Sequence, residues 1–221
     1  MSEPTLHDRF HLIGIGGAGM SVVAELLASR GALVEGSDRE DSGVLEHLRA
    51  VGVRVFVGHD ASHVDPSAVV VVSTAIRESN PELAVARERG QRVIHRSQAL
   101  ALAASGMRFV GVAGAHGKTS TSGMLAIALA QCGLDPSVAV GGVLPQLGTG
   151  AHLGTGDIFV AEADESDGSF LNYSPTIEIV TNVEPDHLDR YRSREEFEQI
   201  FVEFARCMVP GGLLVTCAED E

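Results

Sequence analysis

The sequence predicts an α/β protein built from two successive parallel-sheet units. Short β-rich runs alternate with helical segments along most of the 221 residues. This alternation is typical of an open parallel sheet with helices on both faces. In addition, two glycine-containing loops, at 14–19 and 114–119, each follow an apolar strand and open a helix. Such strand–loop–helix turns are typical of nucleotide-binding proteins.

The first unit is predicted to cover 1–105. Its predicted strands are 10–15, 32–38, 53–58, 68–73 and 92–94. Its predicted helices are 20–30, 42–52, 80–90 and 97–105. Ser42, and Asn80 followed by Pro81, stand where helices commonly begin. The apolar run 68–73 is typical of a buried parallel strand.

The second unit is predicted to cover 106–221. Its predicted strands are 107–114, 137–142, 157–164, 176–182 and 212–217. Its predicted helices are 118–132 and 193–208, and the glycine-rich stretch 147–156 is predicted to be a loop. Ser193 and Glu196 have the spacing of a capping box. Because a parallel sheet normally continues after such a strand, we expect these residues to be the front part of a longer protein with an incomplete second domain.

The amino-acid composition limits the kinds of molecule that this protein can bind. The net charge is −14, which argues against a general nucleic-acid or membrane-surface role. No apolar run approaches the ~20 residues that span a bilayer. The three cysteines, Cys132, Cys207 and Cys217, lack metal-ligand spacing, and we expect a reducing, cytoplasmic location. Any anionic ligand must therefore be held locally, by backbone N–H groups, a few cations or a metal ion.

The first loop, 14–19, matches the pattern G-x-G-x-x-G. Its glycines are Gly14, Gly16, Gly17 and Gly19. They allow the backbone to approach a diphosphate that lies on the helix N-terminus. Asp38 ends the next strand, and the generic interpretation is NAD with Asp38 on a ribose. The alternative is a tight turn without a ligand, and the pattern does not say which nucleotide binds.

The second loop resembles a short P-loop, G-x-x-G-K-[ST]. A strict form needs a glycine at 112, where this chain has Val112. Lys118 is the only lysine in the chain. Its compact ammonium suits the β- and γ-phosphates of a nucleotide, and the Thr119 hydroxyl suits Mg²⁺. The predicted phosphate-binding residues are Gly114, Ala115, His116, Gly117, Lys118, Thr119 and Ser120.

Two further residues are candidates for metal binding or catalysis. Glu162 ends the strand 157–164 beside the P-loop strand, which favours a role as a metal ligand. The alternative is a solvated acidic loop, since four more acids lie nearby: Asp157, Asp164, Glu165 and Asp167. His187 follows the strand 176–182, but a lone histidine is more often structural. Four other histidines are interpreted as surface residues: His7, His47, His59 and His63.

Five segments in this order resemble the Mur ligases over essentially the whole chain. They are GIGGAGMS (14–21), STAIRESNPEL (73–83), GAHGKTST (114–121), AEADESDGSF (161–170) and TNVEPDHLD (181–189). The first and fourth segments favour the alanine-adding branch of that family. Ala115 and Ser120 stand where the family usually has threonine, and both changes leave Lys118 and Thr119 intact.

The resemblance implies an ATP-dependent amide ligation in peptidoglycan synthesis. ATP would phosphorylate the lactoyl carboxylate of UDP-N-acetylmuramate, and the amine of L-alanine would attack the resulting acyl phosphate. It also implies a Rossmann-like first domain for the UDP part and a P-loop ATPase domain after it. The implied cofactors are ATP and Mg²⁺.

The resemblance also implies a role for each motif residue. Lys118 and His187 would be catalytic, with Lys118 neutralising the transferring phosphoryl group. Thr119 and Glu162 would hold one Mg²⁺, and His187 would serve a second metal site. The four glycines of the first loop would bind the UDP-sugar together with Asp38 and Ser73.

Other functions remain as alternatives at this point. A peptidoglycan-recycling ligase would join a peptide to the same UDP-sugar using similar motifs. An NAD-dependent oxidoreductase would rest on the first loop alone and would leave the second unexplained. A non-catalytic nucleotide-binding module is the third alternative, and turnover by these 221 residues alone is expected to be absent or very slow. The sequence leaves the oligomeric state open.

Overall fold

The computed structural model describes residues 3–147, 149–166, 168–184, 191 and 193–217. The chain divides into two compact units, Met1–Ser105 and Gly106–Glu221. Within the described ranges, no helix combines the length and the apolar character that crossing a lipid bilayer requires.

The first unit is a five-stranded parallel sheet with the strand order β3-β2-β1-β4-β5. The strands are β1 (Arg9–Ile13), β2 (Leu33–Asp38), β3 (Arg54–Val57), β4 (Val69–Val72) and β5 (Val93–His95). The helices are α1 (Ala18–Ser29), α2 (Gly43–Ala50), α3 (Pro81–Glu88) and α4 (Arg96–Ala103). A short 3₁₀ turn covers Ala61–His63. The α/β prediction for this unit is confirmed.

Local sequence signals set the starts of two of these helices. The Ser42 hydroxyl accepts the Leu45 N–H at 3.4 Å, at the start of α2. The Asn80 side chain accepts the Glu82 N–H at 2.9 Å, and Pro81 occupies the first position of α3. Both caps satisfy N–H groups that have no partner within the helix. These two predicted helix starts are confirmed.

The centre of the first sheet determines where a ligand can bind. β1 lies between β2 and β4, and its residues Phe10 to Ile13 are buried. The carboxyl ends of these three parallel strands meet at one edge of the sheet. Open α/β sheets bind ligands at such an edge. The first glycine loop, Asp38 and Ser73 all follow these strand ends.

The second unit is a mixed six-stranded sheet with the order β11-β10-β6-β9-β7-β8. The strands are β6 (Arg108–Ala113), β7 (Ser137–Leu144), β8 (Thr149–His152), β9 (Ile158–Glu162), β10 (Ile177–Val180) and β11 (Leu213–Thr216). The helices are α5 (Lys118–Gln131) and α6 (Arg194–Arg206), with a 3₁₀ turn at Ser169–Asn172. All pairings are parallel except the antiparallel pair of β7 and β8.

The prediction of a loop over 147–156 was wrong, because β8 lies within it. Gly150 explains the difference. A Cβ at Gly150 would lie 2.5 Å from the carbonyl oxygen of Gly142 and 2.6 Å from that of Val140. Glycine therefore allows the backbones of β7 and β8 to come close together. The glycine-rich composition reflects strand contact here, not an irregular loop.

An aromatic core holds α6 on the second sheet. Phe197, Phe201 and Phe204 are buried and share one face of α6. The Phe170 ring stacks on Phe204 with 4.5 Å between ring centroids and meets Phe201 edge-on at 5.9 Å. The Ser193 hydroxyl accepts the Glu196 N–H at 3.2 Å, which caps the helix as predicted.

Candidate functional site

The first glycine loop is a tight turn between β1 and α1. The N–H groups of Gly14 and Ile15 both donate to the Ser37 carbonyl, at 2.8 and 2.9 Å. The Gly17 N–H then donates to the Gly14 carbonyl at 3.1 Å. Gly14 has a φ of +76°, a left-handed conformation that favours glycine. The loop is thus fastened to the end of the neighbouring strand β2.

Asp38 contacts the loop directly. Its Oδ2 accepts the Gly16 N–H at 2.8 Å, and its Oδ1 accepts the Arg39 N–H at 2.7 Å. A Cβ at Gly16 would lie 2.9 Å from Oδ2, so glycine makes room for this contact. One N–H group of the loop is therefore already bound to a carboxylate of the protein.

A cleft of ≈490 Å³ opens beside the loop. It is lined by Gly14, Gly16, Gly17, Asp38, Arg39, Glu40, Asp41, Ser42, His59 and Ile76. Ser73 follows β4, and its carbonyl accepts the N–H of Ile76 at 3.1 Å. Ser73 itself is not among the lining residues. Of the predicted residues, Gly14, Gly16, Gly17 and Asp38 are thus brought together at this cleft, while Gly19 and Ser73 do not line it.

Two of the four histidines assigned to the surface, His59 and His63, are partly buried against Glu82. Glu82 is 0% exposed, and its carboxylate lies 3.3 Å from His59 Nδ1 and 3.2 Å from His63 Nδ1. The Ser37 hydroxyl donates to the same carboxylate. The sequence interpretation was wrong for these two residues, because the carboxylate that holds them lies on α3. His7 and His47 are exposed, as predicted.

The interior of this cluster is charged. His11 is fully buried, with Nε2 at 3.5 Å from Glu82 and Nδ1 at 3.7 Å from Glu35. Burial alone lowers the pKa of His11, but the two carboxylates outweigh it, so the pKa is raised above its usual value. His11 in turn holds the pKa values of Glu35 and Glu82 below their usual range, against the effect of burial.

The second loop joins β6 to α5 and is clamped by the end of β10. The Ala115 N–H donates to the Asn182 carbonyl at 3.2 Å, and the His116 N–H donates to the Asn182 side chain at 3.0 Å. The His116 carbonyl accepts the Asn182 amide at 2.9 Å and the Thr181 hydroxyl at 2.6 Å. Residues that are far apart in sequence therefore shape this loop.

The clamp leaves the other N–H groups of the loop free. In the described part of the chain, the N–H groups of Gly117, Lys118, Thr119 and Ser120 have no hydrogen-bond acceptor. They lie at the start of α5, where the helix dipole favours an anion. Gly117 has a φ of +83°, which turns the chain into the helix. Within the predicted range 114–120, the N–H groups that are free to bind an anion are thus at 117–120.

Lys118 is held over the loop by a buried carboxylate. Its ammonium donates to both oxygens of Glu165 at 2.9 Å and to the Gly114 carbonyl at 2.7 Å. Glu165 is 0% exposed. The charges compensate each other in a site that excludes water from the carboxylate. In the sequence analysis, Glu165 was one of the acids that a solvated loop could explain. The structure distinguishes it because its side chain is buried.

Thr119 and Glu162 have the donor chemistry of a Mg²⁺ site. Glu162 Oε1 accepts the Gly141 N–H at 3.0 Å, and the Thr119 methyl group contacts Gly142. Both side chains therefore reach consecutive residues of β7. A carboxylate and a hydroxyl are hard oxygen ligands, and Mg²⁺ keeps several waters besides such ligands. These two residues fit the ion.

His187 was the third predicted metal ligand, after Thr119 and Glu162. His187 lies outside the described residues, as does Asp167 of the acidic segment. Among the described residues, no group of three or more His, Cys, Asp and Glu side chains could hold a metal ion. The roles of His187 in catalysis and in a second metal site therefore stay predictions.

Substituting Gly114 with alanine is expected to weaken ATP binding at least about tenfold. The new Cβ would lie 2.1 Å from the Thr181 hydroxyl and 2.9 Å from the Asn182 carbonyl. The loop would have to leave its clamp at a cost of roughly 2 kcal/mol. Gly133→Ala is the control, because Gly133 has a φ of +76° but no heavy atom within 4 Å of the new Cβ. Equal ATP affinities of the two variants, measured by calorimetric titration, would contradict this prediction.

Two family models together match nearly the whole chain. The model described as Mur ligase family, catalytic domain, matches residues 9–108. The model described as Mur ligase middle domain matches residues 112–221. The first match ends three residues beyond the boundary between the two structural units, which lies between Ser105 and Gly106.

Two curated relatives carry the same enzyme name. The chain is 52% identical to a UDP-N-acetylmuramate–L-alanine ligase of Saccharopolyspora erythraea over 97% of its length and 45% of the relative. It is 54% identical to the enzyme of that name from Renibacterium salmoninarum, over 96% of its length and 46% of the relative. The chain thus spans about half the length of the curated relatives it matches.

Solved structures share the fold. A UDP-N-acetylmuramate-alanine ligase from Thermotoga maritima matches with a TM-score of 0.82 and 33% identity, over 97% of this chain and 50% of that one. A UDP-N-acetylmuramate:L-alanyl-γ-D-glutamyl-meso-diaminopimelate ligase from Neisseria meningitidis matches with a TM-score of 0.85 and 29% identity, over 97% and 72% of the two chains.

Proposed function

Because the chain belongs to the Mur ligase family of ATP-dependent amide-bond-forming ligases, we propose that it acts in the ligation of L-alanine to UDP-N-acetylmuramate. The observation that carries this proposal is the pair of separate glycine loops, one at a sheet edge in each unit. Two loops suit a reaction with two nucleotide substrates, a UDP-sugar and ATP. The 50–54% identity to alanine ligases over nearly the whole chain supports this amino acid.

In the second unit, the proposed role of 117–120 is to bind the ATP phosphates through free N–H groups at the start of α5. Lys118 adds a positive charge beside them. In the proposed reaction the lactoyl carboxylate takes the γ-phosphoryl group of ATP, and ADP leaves. The L-alanine amine then displaces phosphate from the acyl phosphate and forms the amide. Lys118 stabilises the negative charge on the transferring group.

Thr119 and Glu162 are the residues proposed to hold Mg²⁺. When bound, the ion neutralises charge on the phosphate oxygens and orients them. Glu162 is already oriented for this role by its hydrogen bond from Gly141, and its Oε2 has no hydrogen-bond partner within the described residues. His187 is proposed as a further ligand of the metal site.

In the first unit, the glycine loop is proposed to bind the diphosphate of the UDP-sugar. Gly14, Gly16, Gly17 and Gly19 shape the turn, and Asp38 holds it from the side. Ser73 follows β4 at the same sheet edge. We place the reaction in the cytoplasm, because it consumes ATP and because the three cysteines are free.

A second candidate function is ligation of a peptide to the same UDP-sugar. The similarity to the Neisseria meningitidis ligase, with a TM-score of 0.85, favours it as the alternative. Both candidates require the UDP-sugar and ATP, and they differ in the amine. Incubating the chain at high concentration with L-alanine or with the tripeptide L-alanyl-γ-D-glutamyl-meso-diaminopimelate, and measuring which one raises ADP release above the very slow rate expected of these residues alone, separates them.

The proposed UDP-sugar site is tested by calorimetric titration of the 221-residue chain. UDP-N-acetylmuramate is expected to bind with a stoichiometry of about one, and NAD is expected not to bind. The Lys118→Met variant should bind the UDP-sugar as the wild type does, since Lys118 belongs to the other unit. Binding of NAD in place of the UDP-sugar would overturn the proposal for the first unit.

A further inference from the structure

We propose that Arg96 is a diphosphate-binding residue of the first glycine loop. The inference rests on the proposed function, in which this loop binds a UDP-sugar. Arg96 is the first residue of α4, and α4 packs against α1, the helix that the loop opens. No motif in the sequence points to Arg96, because it lies 77 residues beyond Gly19. The assignment comes from contacts in the folded unit.

The guanidinium of Arg96 fills the space beside Gly19. A Cβ on Gly19 would lie 2.2 Å from Nη1 of Arg96 and 3.0 Å from its Cζ. Gly19 is in α1 and does not have a positive φ, so its backbone conformation would accept alanine. The absence of a side chain at this position therefore makes room for the guanidinium. The role of Gly19, the last glycine of the motif, is therefore to leave space for the Arg96 guanidinium.

Arg96 is half-buried and has no ion pair within the described residues. Neighbouring arginines of the same unit do have carboxylate partners, such as Arg9 with Glu35 at 3.4 Å and Arg49 with Asp41 at 2.9 Å. In the part of the chain that the structure describes, no carboxylate or carbonyl oxygen accepts a hydrogen bond from the Arg96 guanidinium. A guanidinium presents several donors in a fixed fork that matches phosphate oxygens.

The N–H groups of the loop that have no acceptor within the described residues belong to Gly19, which Arg96 contacts, and to Ala18 beside it. Gly16 donates to Asp38 and Gly17 donates to Gly14, so these two groups are occupied. The N–H groups of Ala18 and Gly19 have no acceptor in the ranges that the structure describes. The first turn of α1 carries no acidic side chain. The two backbone donors at the start of α1 and the guanidinium of Arg96 therefore lie close together at Gly19.

The acidic part of the cleft beside the loop is unfavourable for an anion. Asp38, Glu40 and Asp41 line the cleft there, and the exposed Arg39 pairs with Glu40 at 3.3 Å. Carboxylates repel a diphosphate at short range. The charge distribution thus favours placing the diphosphate against Gly19 and Arg96, with the remainder of the ligand extending into the cleft.

The test is a calorimetric titration of UDP into four forms of the chain: wild type, Arg96→Ala, Gly19→Ala and the double variant. Arg96→Ala is expected to weaken UDP binding about 10- to 100-fold, the usual range for charge-assisted hydrogen bonds. Gly19→Ala should also weaken binding, because the new methyl group displaces the guanidinium. The double variant should bind no more weakly than Arg96→Ala alone, since the guanidinium that the new methyl group would displace is already absent.

Further variants separate binding from folding. Arg87→Met, which removes the same charge from an exposed ion pair with Glu78, should bind UDP within about twofold of the wild type. Arg96→Lys should recover part of the lost affinity, because it keeps the charge without the fork. Thermal unfolding of each variant shows whether the first unit remains folded.

Each outcome has one meaning. Absence of UDP binding by the folded wild type would overturn the proposed function of the first unit, and the inference with it. Binding by the wild type with unchanged affinity in Arg96→Ala would overturn the inference alone. Additive losses in the double variant would show that Gly19 acts independently of Arg96 and would overturn the argument from Gly19.

Discussion

Replacing Lys118 with methionine is expected to abolish ATP binding and to lower the free energy of unfolding of the second unit by about 3–5 kcal/mol. Both effects have the same cause. The ammonium of Lys118 is the partner of both oxygens of Glu165, which is 0% exposed. Without Lys118, the buried carboxylate loses the positive charge of this ammonium, and the proposed phosphate site loses its only lysine.

The chain offers a selective probe for this experiment. It has no tryptophan and two tyrosines, and Tyr173 and Tyr191 both belong to the second unit. Both tyrosine side chains are buried. Tyrosine fluorescence during urea unfolding therefore reports on the second unit alone. ATP binding is measured separately by calorimetric titration with Mg²⁺ present.

Two controls distinguish the buried pair from an ordinary ion pair. Arg108→Met removes an exposed bidentate pair with Asp157, at 3.1 Å for each contact, and should cost less than about 1 kcal/mol. Adding Glu165→Gln to Lys118→Met should restore at least about 2 kcal/mol, because the buried negative charge is then absent. ATP binding should stay lost in that double variant. A cost below about 1 kcal/mol for Lys118→Met would contradict the burial argument.

Glu178 is expected to make the second unit less stable as the pH rises. It lies on β10, is 0% exposed, and neither carboxylate oxygen has a hydrogen-bond partner among the described residues. Burial raises its pKa from 4.5 to about 7. The charged form is therefore disfavoured in the folded state, while the unfolded chain ionises freely.

The sign of the effect follows from the two pKa values. Well below pH 4.5 the carboxyl is protonated in both states and has no pH-dependent effect on stability. Between about pH 4.5 and 7 the unfolded state releases its proton first, so stability falls with pH. Above about 7 the loss is complete, at roughly 3 kcal/mol. The cost is that of ionising a buried carboxyl group.

Glu178→Gln removes this charge and tests the prediction. The variant should be more stable than wild type by about 3 kcal/mol at about pH 8 and nearly equal to it at about pH 4. Glu203→Gln, an exposed position on α6, is the control and should change stability by less than about 0.5 kcal/mol at either pH. A gain for Glu178→Gln that is the same at both pH values would show that the ionised form is not the cause.

Most of the fold could be predicted from local patterns. The strand and helix alternation, the caps at Ser42, Asn80 and Ser193, and both glycine loops are properties of a few neighbouring residues. Backbone geometry and apolar periodicity act over such short distances. The strand β8 could not be predicted in this way, because Gly150 is explained only by the carbonyl groups of β7 that approach it.

By itself, the sequence determined the two-unit α/β plan and the positions of Lys118, Thr119 and the glycines that shape each loop. Only the tertiary structure decided which charged residues are buried and what they contact. Glu165 resembled its solvated neighbours, and Arg96 belonged to no motif. Lys118 pairs with Glu165, which is 47 positions away in the sequence. The Arg96 side chain fills the space beside Gly19, which is 77 positions away. The reason is physical: burial and charge compensation depend on packing between elements, which local sequence patterns do not encode.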